Sequence, residues 1–153
     1  MSYTADAPAY WDPSSCDGKS SQLSQEQCII DDEHFFIRGR LVIPVIDAGA
    51  GAEFNWGVWV SLSRDTFARA LSLWTTPDRE KEPPYFGWLS TDLPLYQPST
   101  LQLKTRVHTE PVGSRPLVEL EPTVHPLAVE QRTGITLAGC RRSPRYCCTR
   151  LSD

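Results

Sequence analysis

Three histidines and a few nearby carboxylates have the chemistry of a catalytic site. Imidazole can act as a general base near neutral pH or bind zinc, and a catalytic zinc needs three protein ligands and an open position. The candidate catalytic residues are His108, Glu119, Glu121 and His125, which lie close together in the sequence. They suggest a small metal-dependent hydrolase. No HExxH, GxSxG or phosphate-loop spacing supports a hydrolase, so it is the alternative to a non-enzymatic binding module, which is the preferred hypothesis.

The third histidine belongs to an acidic cluster, DDEH at 31–34. Neighbouring side chains of an extended chain point to opposite faces, so only Asp31 with Glu33, or Asp32 with His34, could bind one ion together. Such clusters mostly form polar turns between strands, which is the preferred interpretation. The five cysteines contain no CxxC pair. The sequence therefore predicts no metal site and no cofactor.

Side-chain alternation sorts two predicted strands, 100–109 and 117–121, into faces. The apolar face holds Leu101, Leu103, Thr105, Val107, Val118 and Leu120, and the polar face holds Gln102, Lys104, Arg106, His108, Leu117, Glu119 and Glu121. If the strands form a hairpin, three basic side chains oppose two glutamates. The preferred interpretation is a cross-strand ion-pair ladder, and the functional one is a charged cleft floor.

A third predicted strand, 54–62, supplies candidate ligand-binding residues. Its large apolar side chains share one face, while Trp59 shares the other with Asn55 and two small residues, Gly57 and Ser61. An aromatic ring beside glycine and small polar groups can form the floor of a ligand pocket. Trp59, Asn55 and Arg106 are therefore the candidate ligand-binding residues.

The elements that position these residues predict an α+β fold. Ser63 is a predicted N-cap for a helix over 64–74, and a second helix runs from Pro126 to a C-cap at Gly134. Further strands are predicted at 28–31, 35–46 and 85–89. Strands outnumber helices and short links join them, which indicates a largely antiparallel twisted sheet with two or three helices packed on one side. Residues 1–139 form a single domain, in which 1–21 are an irregular lead-in.

Composition excludes several classes of protein. Hydrophobic residues make up 40% of the 153 residues, which argues against disorder. The net charge of −4 argues against nucleic acid as a partner. No apolar run reaches the roughly 20 residues that span a bilayer, and the start of the chain does not resemble a secretory signal. We therefore expect a cytoplasmic, non-enzymatic module that binds a small molecule or a protein, with no membrane partner.

The last 14 residues, 140–153, differ in composition from the rest. They contain three of the five cysteines. Their four arginines and Asp153 give a net charge of +3. Since the whole chain has a net charge of −4, the other 139 residues have a net charge of −7. The segment is expected to be a disordered basic tail. Written with GC-rich codons and read one base earlier, it becomes VQEIAEVLLHAAER, which has helical spacing of apolar residues. A shifted reading frame is therefore the preferred hypothesis for this tail.

Seven segments together resemble the uncharacterised bacterial family called domain of unknown function 2199. They are AYW at 9–11, CIIDDEHFFIRG at 28–39, WGVWVSLS at 56–63, PPYFGWLS at 83–90, LKTRVH at 103–108, RPLVELEPT at 115–123 and HPLAVEQRTGI at 125–135. The resemblance implies a bacterial source and no assigned activity. It also implies a Cys-x-x-Cys-Gly segment before the part that corresponds to Met1–Tyr3, and a final helix resembling VQEIAEVLLH. This chain has neither.

Overall fold

The structure, a computed structural model, describes residues 2–13, 21–49, 51–94 and 96–136. Their strands are β1 Ser2–Thr4, β2 Gln22–Leu23, β3 Gln27–Ile30, β4 His34–Pro44, β5 Glu53–Leu62, β6 Tyr85–Leu89, β7 Lys104–His108 and β8 Leu117–Leu120. The helices are α1 Arg64–Ser72 and α2 Pro126–Thr133, with a single 3-10 turn at Arg79–Lys81. The predicted tail, 140–153, lies outside the described residues.

Five strands close into a small barrel, in the order β4-β5-β6-β7-β8 and back to β4. Within the described chain, only the β4–β8 and β1–β5 pairs are parallel. The strand-rich fold and its largely antiparallel sheet agree with the prediction. Closure into a barrel was not predicted, because side-chain alternation shows which face is buried and not which strands meet at the two ends of a sheet.

The barrel interior is the apolar face that alternation predicted. The long hairpin of β4 and β5 places Ile37 opposite Val60 and Leu41 opposite Trp56. The predicted hairpin of β7 and β8 is also present, with Val107 opposite Val118, and both side chains are buried. Leu103 packs against the same core. Burial of this continuous apolar cluster is the main stabilising contribution to the fold.

The two helices cover different ends of strand β4, which corrects the prediction that they pack on one side of a sheet. Helix α1 brings Phe67 to 5.1 Å from Phe35, ring centroid to ring centroid, at the start of β4. Helix α2 lies near the other end. There Gln131 Nε2 donates to the carbonyl of Val118, and Gly134 is the C-cap of the helix. Each helix adds buried side chains to the core, Phe67 from α1 and Leu127 and Ala128 from α2.

The predicted lead-in contains a strand, because β1 adds to the barrel by pairing in parallel with β5. The chain after β1 then crosses the outer surface of the barrel. There Ala5 and Trp11 pack against a second buried cluster of Cys28, Ile30, Phe36 and Trp59. Strand β5 is therefore buried on both faces at this point, which a pattern of one apolar and one polar face does not predict.

Candidate functional site

Strand β4 changes partner halfway along one edge, and this change creates an opening in the barrel wall. Its first half pairs with β3, where Arg38 N donates to the carbonyl of Glu26. Its second half pairs with β8, where Arg40 N donates to the carbonyl of Pro116. Gly39 lies at the change, and a Cβ there would lie 2.7 Å from Val118 Cγ2. The backbones fork at this point, since β3 and β8 share one edge of β4.

A cavity of about 240 Å³ lies at this fork, and we call it the fork cavity. Its apolar wall comprises Ile37, Ala70, Trp74, Val107 and Pro116. Its polar groups come from Glu26, Arg38, Arg79, Tyr85, Thr109, Glu110, Ser114 and Arg115. An apolar cavity in the mouth of a barrel with a few convergent polar groups is a common form of ligand site.

Arg79 builds one wall of the fork cavity by holding the loop between β7 and β8. Its buried guanidinium donates to four backbone carbonyls. The acceptors are Trp74 (2.9 Å), Glu110 (2.7 Å), Pro111 (3.2 Å) and Ser114 (2.9 Å). Because the first acceptor follows α1 and the other three belong to the loop, this side chain fixes the loop against the helical segment.

Arg38 lies at the inner end of the fork with only 7% of its surface exposed. Its guanidinium lies 4.8 Å from the centre of the Trp59 ring, and Nη2 donates to the carbonyl of Ala5 at 2.7 Å. Nε is buried and has no hydrogen-bond partner among the described residues. Burial lowers the pKa of Arg38, and the nearby charge of Arg115 lowers it further, against the opposing effects of Glu26 and Asp6.

One ion pair borders the cavity, and a second lies beside Tyr85, which lines it. Arg115 Nε donates to both carboxylate oxygens of Glu26, which connects the start of β8 to the start of β3 across the fork. Arg69 of α1 donates to both oxygens of Glu82, and Tyr85 Oη donates to the same carboxylate at 3.1 Å. The hydrogen bond from Arg69 lowers the pKa of Glu82. Burial, followed by the Glu82 hydrogen bond, raises the pKa of Tyr85.

Among the described residues, one ion pair of the predicted charge ladder is present on the outer surface of the barrel, between His108 and Glu119. Arg106 pairs with Glu119 in the register of β7 and β8, and His108 Nε2 lies 3.0 Å from Glu119 Oε1. His108 and Glu119 line a shallow depression of about 230 Å³, with Arg40 and Gln131 nearby. Glu121 follows β8 and is half-buried, and its Oε2 has no partner among the described residues.

Arg106 lies on an exposed surface of aromatic and basic side chains. It is opposite Phe86 in the register of β6 and β7, and Trp88 is opposite Lys104. The two rings meet edge to face with centroids 5.1 Å apart, and they are 50% and 38% exposed. Lys104 Nζ lies 5.9 Å from the Trp88 ring centre. The side chains lie outside the barrel and do not border the fork cavity.

His125 has a structural position, which corrects its placement with His108 in a metal site. It is the N-cap of α2, and its Nδ1 accepts from Leu127 N–H at 3.0 Å. Nε2 therefore carries the proton and donates to the carbonyl of Pro98 at 2.8 Å. Neither nitrogen has a lone pair left for a metal. Among the described residues, no group of three or more His, Cys, Asp or Glu side chains could hold a metal ion.

The DDEH cluster forms the turn of the hairpin between β3 and β4. Asp31 and Asp32 both have left-handed backbone angles, with φ of 55° and 52°. Glu33 N donates to the carbonyl of Ile30, which closes the turn. The preferred interpretation of this cluster as a polar turn is therefore confirmed.

Trp59 does not form an accessible pocket floor, since its side chain is fully buried. Its ring is covered by the segment after β1, and its Nε1 donates to the carbonyl of Ala5 at 3.0 Å. Asn55, on the same face, accepts from Arg40 Nη1 at 3.2 Å. The two residues belong to the packed outer layer of the barrel, because a distant segment of the chain covers this part of the face.

Comparison with known proteins gives a family for this arrangement. The family model described as an uncharacterised protein conserved in bacteria, DUF2199, matches residues 1–135. The chain belongs to this family. No curated protein and no solved structure matches it. Within the described part of the chain, no helix is both long enough and apolar enough to cross a bilayer.

Sequence reasoning missed the residues that form the fork cavity. Arg38 had a detectable signal, because a charged residue interrupts the apolar run FFIRGRLVI. Glu26 and Arg115 had none, since they are 89 positions apart in the chain. Arg79 lies in a charged loop, where nothing in the local pattern indicates that one arginine is buried.

Proposed function

We propose that this protein is a non-enzymatic binding module of the bacterial cytoplasm that holds a small molecule in the fork cavity. The observation that carries this proposal is the cavity itself, in which an apolar wall from the barrel interior and α1 faces a set of convergent polar groups. Its volume of about 240 Å³ lies below the roughly 300–1,000 Å³ of pockets for drug-sized molecules, which favours a smaller ligand.

The polar groups at the cavity support binding over catalysis. Tyr85 donates to Glu82, Arg115 donates to Glu26, and Arg79 donates to four backbone carbonyls. The fold therefore holds each of these side chains in place. Side chains held in place around an apolar space give a site of fixed shape, which lowers the entropic cost of binding. The histidines proposed for catalysis, His108 and His125, are not among the residues that line the cavity.

The test is a screen by ligand-observed NMR with neutral and charged fragments of up to roughly ten non-hydrogen atoms. Ala70 lines the cavity and Ala68 lies exposed on the same helix. Ala70→Leu fills the cavity, so we expect it to abolish binding of the fragments that bind the wild-type protein. Ala68→Leu adds the same atoms to the outer face of α1 and is expected to retain binding. A screen without binders, or binders that Ala70→Leu does not affect, would overturn the proposal.

A further inference from the structure

The charges around the fork cavity are unequal. Three arginines and two glutamates are among its lining residues, so these five residues carry one positive charge in excess. Arg79 is committed to the loop through its four carbonyl acceptors. The guanidinium groups left for a ligand are therefore those of Arg38 and Arg115, with Glu26 as the carboxylate between β3 and β8.

Arg38 is incompletely satisfied for a buried cation. Buried polar atoms in folded proteins almost always have a hydrogen-bond partner, and an unmet donor on a charged group costs more than a neutral one. Nε of Arg38 has no partner among the described residues, although only 7% of this side chain is exposed. Burial is the main cause of the lowered pKa of Arg38, and the charge of Arg115 lowers it further, while Glu26 and Asp6 oppose the shift.

On the basis of the proposed function, we infer that the ligand of the fork cavity is a small organic carboxylate whose anionic group binds Arg38 and Arg115 in competition with Glu26. In the structure, Arg115 Nε donates to the Glu26 carboxylate, which joins the two sides of the fork. A ligand carboxylate supplies the same two-oxygen acceptor. It neutralises the excess charge from inside the cavity.

The shape and polarity of the site favour a carboxylate with an apolar body. A carboxylate is planar and offers two oxygens, which matches the planar donor set of a guanidinium. Its single negative charge equals the excess at the lining. The rest of the ligand would contact Trp74, Ala70 and Val107, which provide apolar surface on the opposite wall.

The first experiment compares benzoate with benzamide, which have nearly the same shape and differ in charge. Both are titrated into the full chain and followed by the indole N–H signals in NMR spectra. Ligands of this size bind with Kd values on the order of millimolar, and we expect benzoate to bind about tenfold more tightly. Equal affinities would overturn the carboxylate inference while leaving the proposed function intact. Failure of both probes to bind would overturn the inference as well.

The second experiment uses Glu26→Gln, which removes the competing carboxylate and keeps the shape of the side chain. We expect benzoate to bind roughly threefold more tightly to this variant and benzamide to be unaffected. Glu33→Gln, in the exposed turn before β4, is the control because it makes the same change in net charge away from the cavity. The inference fails if Glu26→Gln weakens benzoate binding, leaves it unchanged, or has the same effect as Glu33→Gln.

Arg38→Met gives the complementary result. It removes the guanidinium and keeps much of the apolar stem, so benzoate should lose about tenfold in affinity while benzamide retains its own. Glu26 is only partly buried and its variant is not expected to disturb folding. The Glu26→Gln result therefore decides the inference even if Arg38→Met does not fold.

Discussion

Replacing Arg79 should show that one buried side chain determines both the stability of the protein and the shape of the fork cavity. Arg79→Met keeps the length of the side chain and removes all four hydrogen bonds to Trp74, Glu110, Pro111 and Ser114. The four carbonyls lose a shared donor. The loop between β7 and β8 then loses its connection to the segment after α1.

The size of the effect follows from the acceptors. A hydrogen bond to a charged group contributes about 1.5–3 kcal/mol when its loss leaves the partner buried. Pro111 and Ser114 are exposed residues, so water can replace the donor at their carbonyls. We therefore expect Arg79→Met to reduce the free energy of unfolding by about 3–5 kcal/mol, a large part of the roughly 5–15 kcal/mol typical of a domain.

Urea unfolding followed by tryptophan fluorescence measures this loss, and hydrogen exchange of residues 109–116 measures the release of the loop. Arg69→Met is the matched control, because the Arg69 side chain that pairs with Glu82 is 58% exposed, so this variant should cost less than Arg79→Met. Arg79→Lys should recover little, since an ammonium group cannot reach four carbonyls in a fork geometry. If Arg79→Met costs no more than Arg69→Met, or if loop exchange is unchanged, the reasoning is refuted.

Two further predictions concern the ends of the helices. His125→Ala should lower the free energy of unfolding measured in urea by about 1–2 kcal/mol, because α2 loses its N-cap. His125→Asn should recover part of this loss, since asparagine can accept from Leu127 N–H but does not make the bond to Pro98. Equal losses for the two variants would contradict the capping role. Because Arg69 lowers the pKa of Glu82, the carboxylate stabilises the fold above its unfolded pKa of about 4.3, and this contribution is lost as the pH falls through the lower folded value. The difference in Tm between the wild type and Glu82→Gln should therefore stay constant near neutral pH and disappear in acid, whereas a difference independent of pH would argue against the assigned pair.

Local patterns in the sequence determined the elements of the barrel. Ser63 accepts from Thr66 N–H as the N-cap of α1, and Pro126 and Gly134 define the two ends of α2, as predicted. These signals are local because a cap satisfies backbone groups within one turn. Alternation likewise gave the faces of β7 and β8, since a two-residue period fixes the side of a strand that each residue occupies.

The tertiary structure alone decided where the fork cavity lies. Its charged residues come from the position before β3, from β4, from the segment after α1 and from the loop before β8, and the Glu26–Arg115 pair joins positions 89 residues apart. No local pattern encodes such a meeting, because it depends on which distant strands share an edge of β4. The same reason explains Trp59, whose burial follows from the crossing of the N-terminal segment over the outer face of β5. The sequence determined the side of each strand on which a residue points, and long-range strand pairing determined which of those residues meet around an open space.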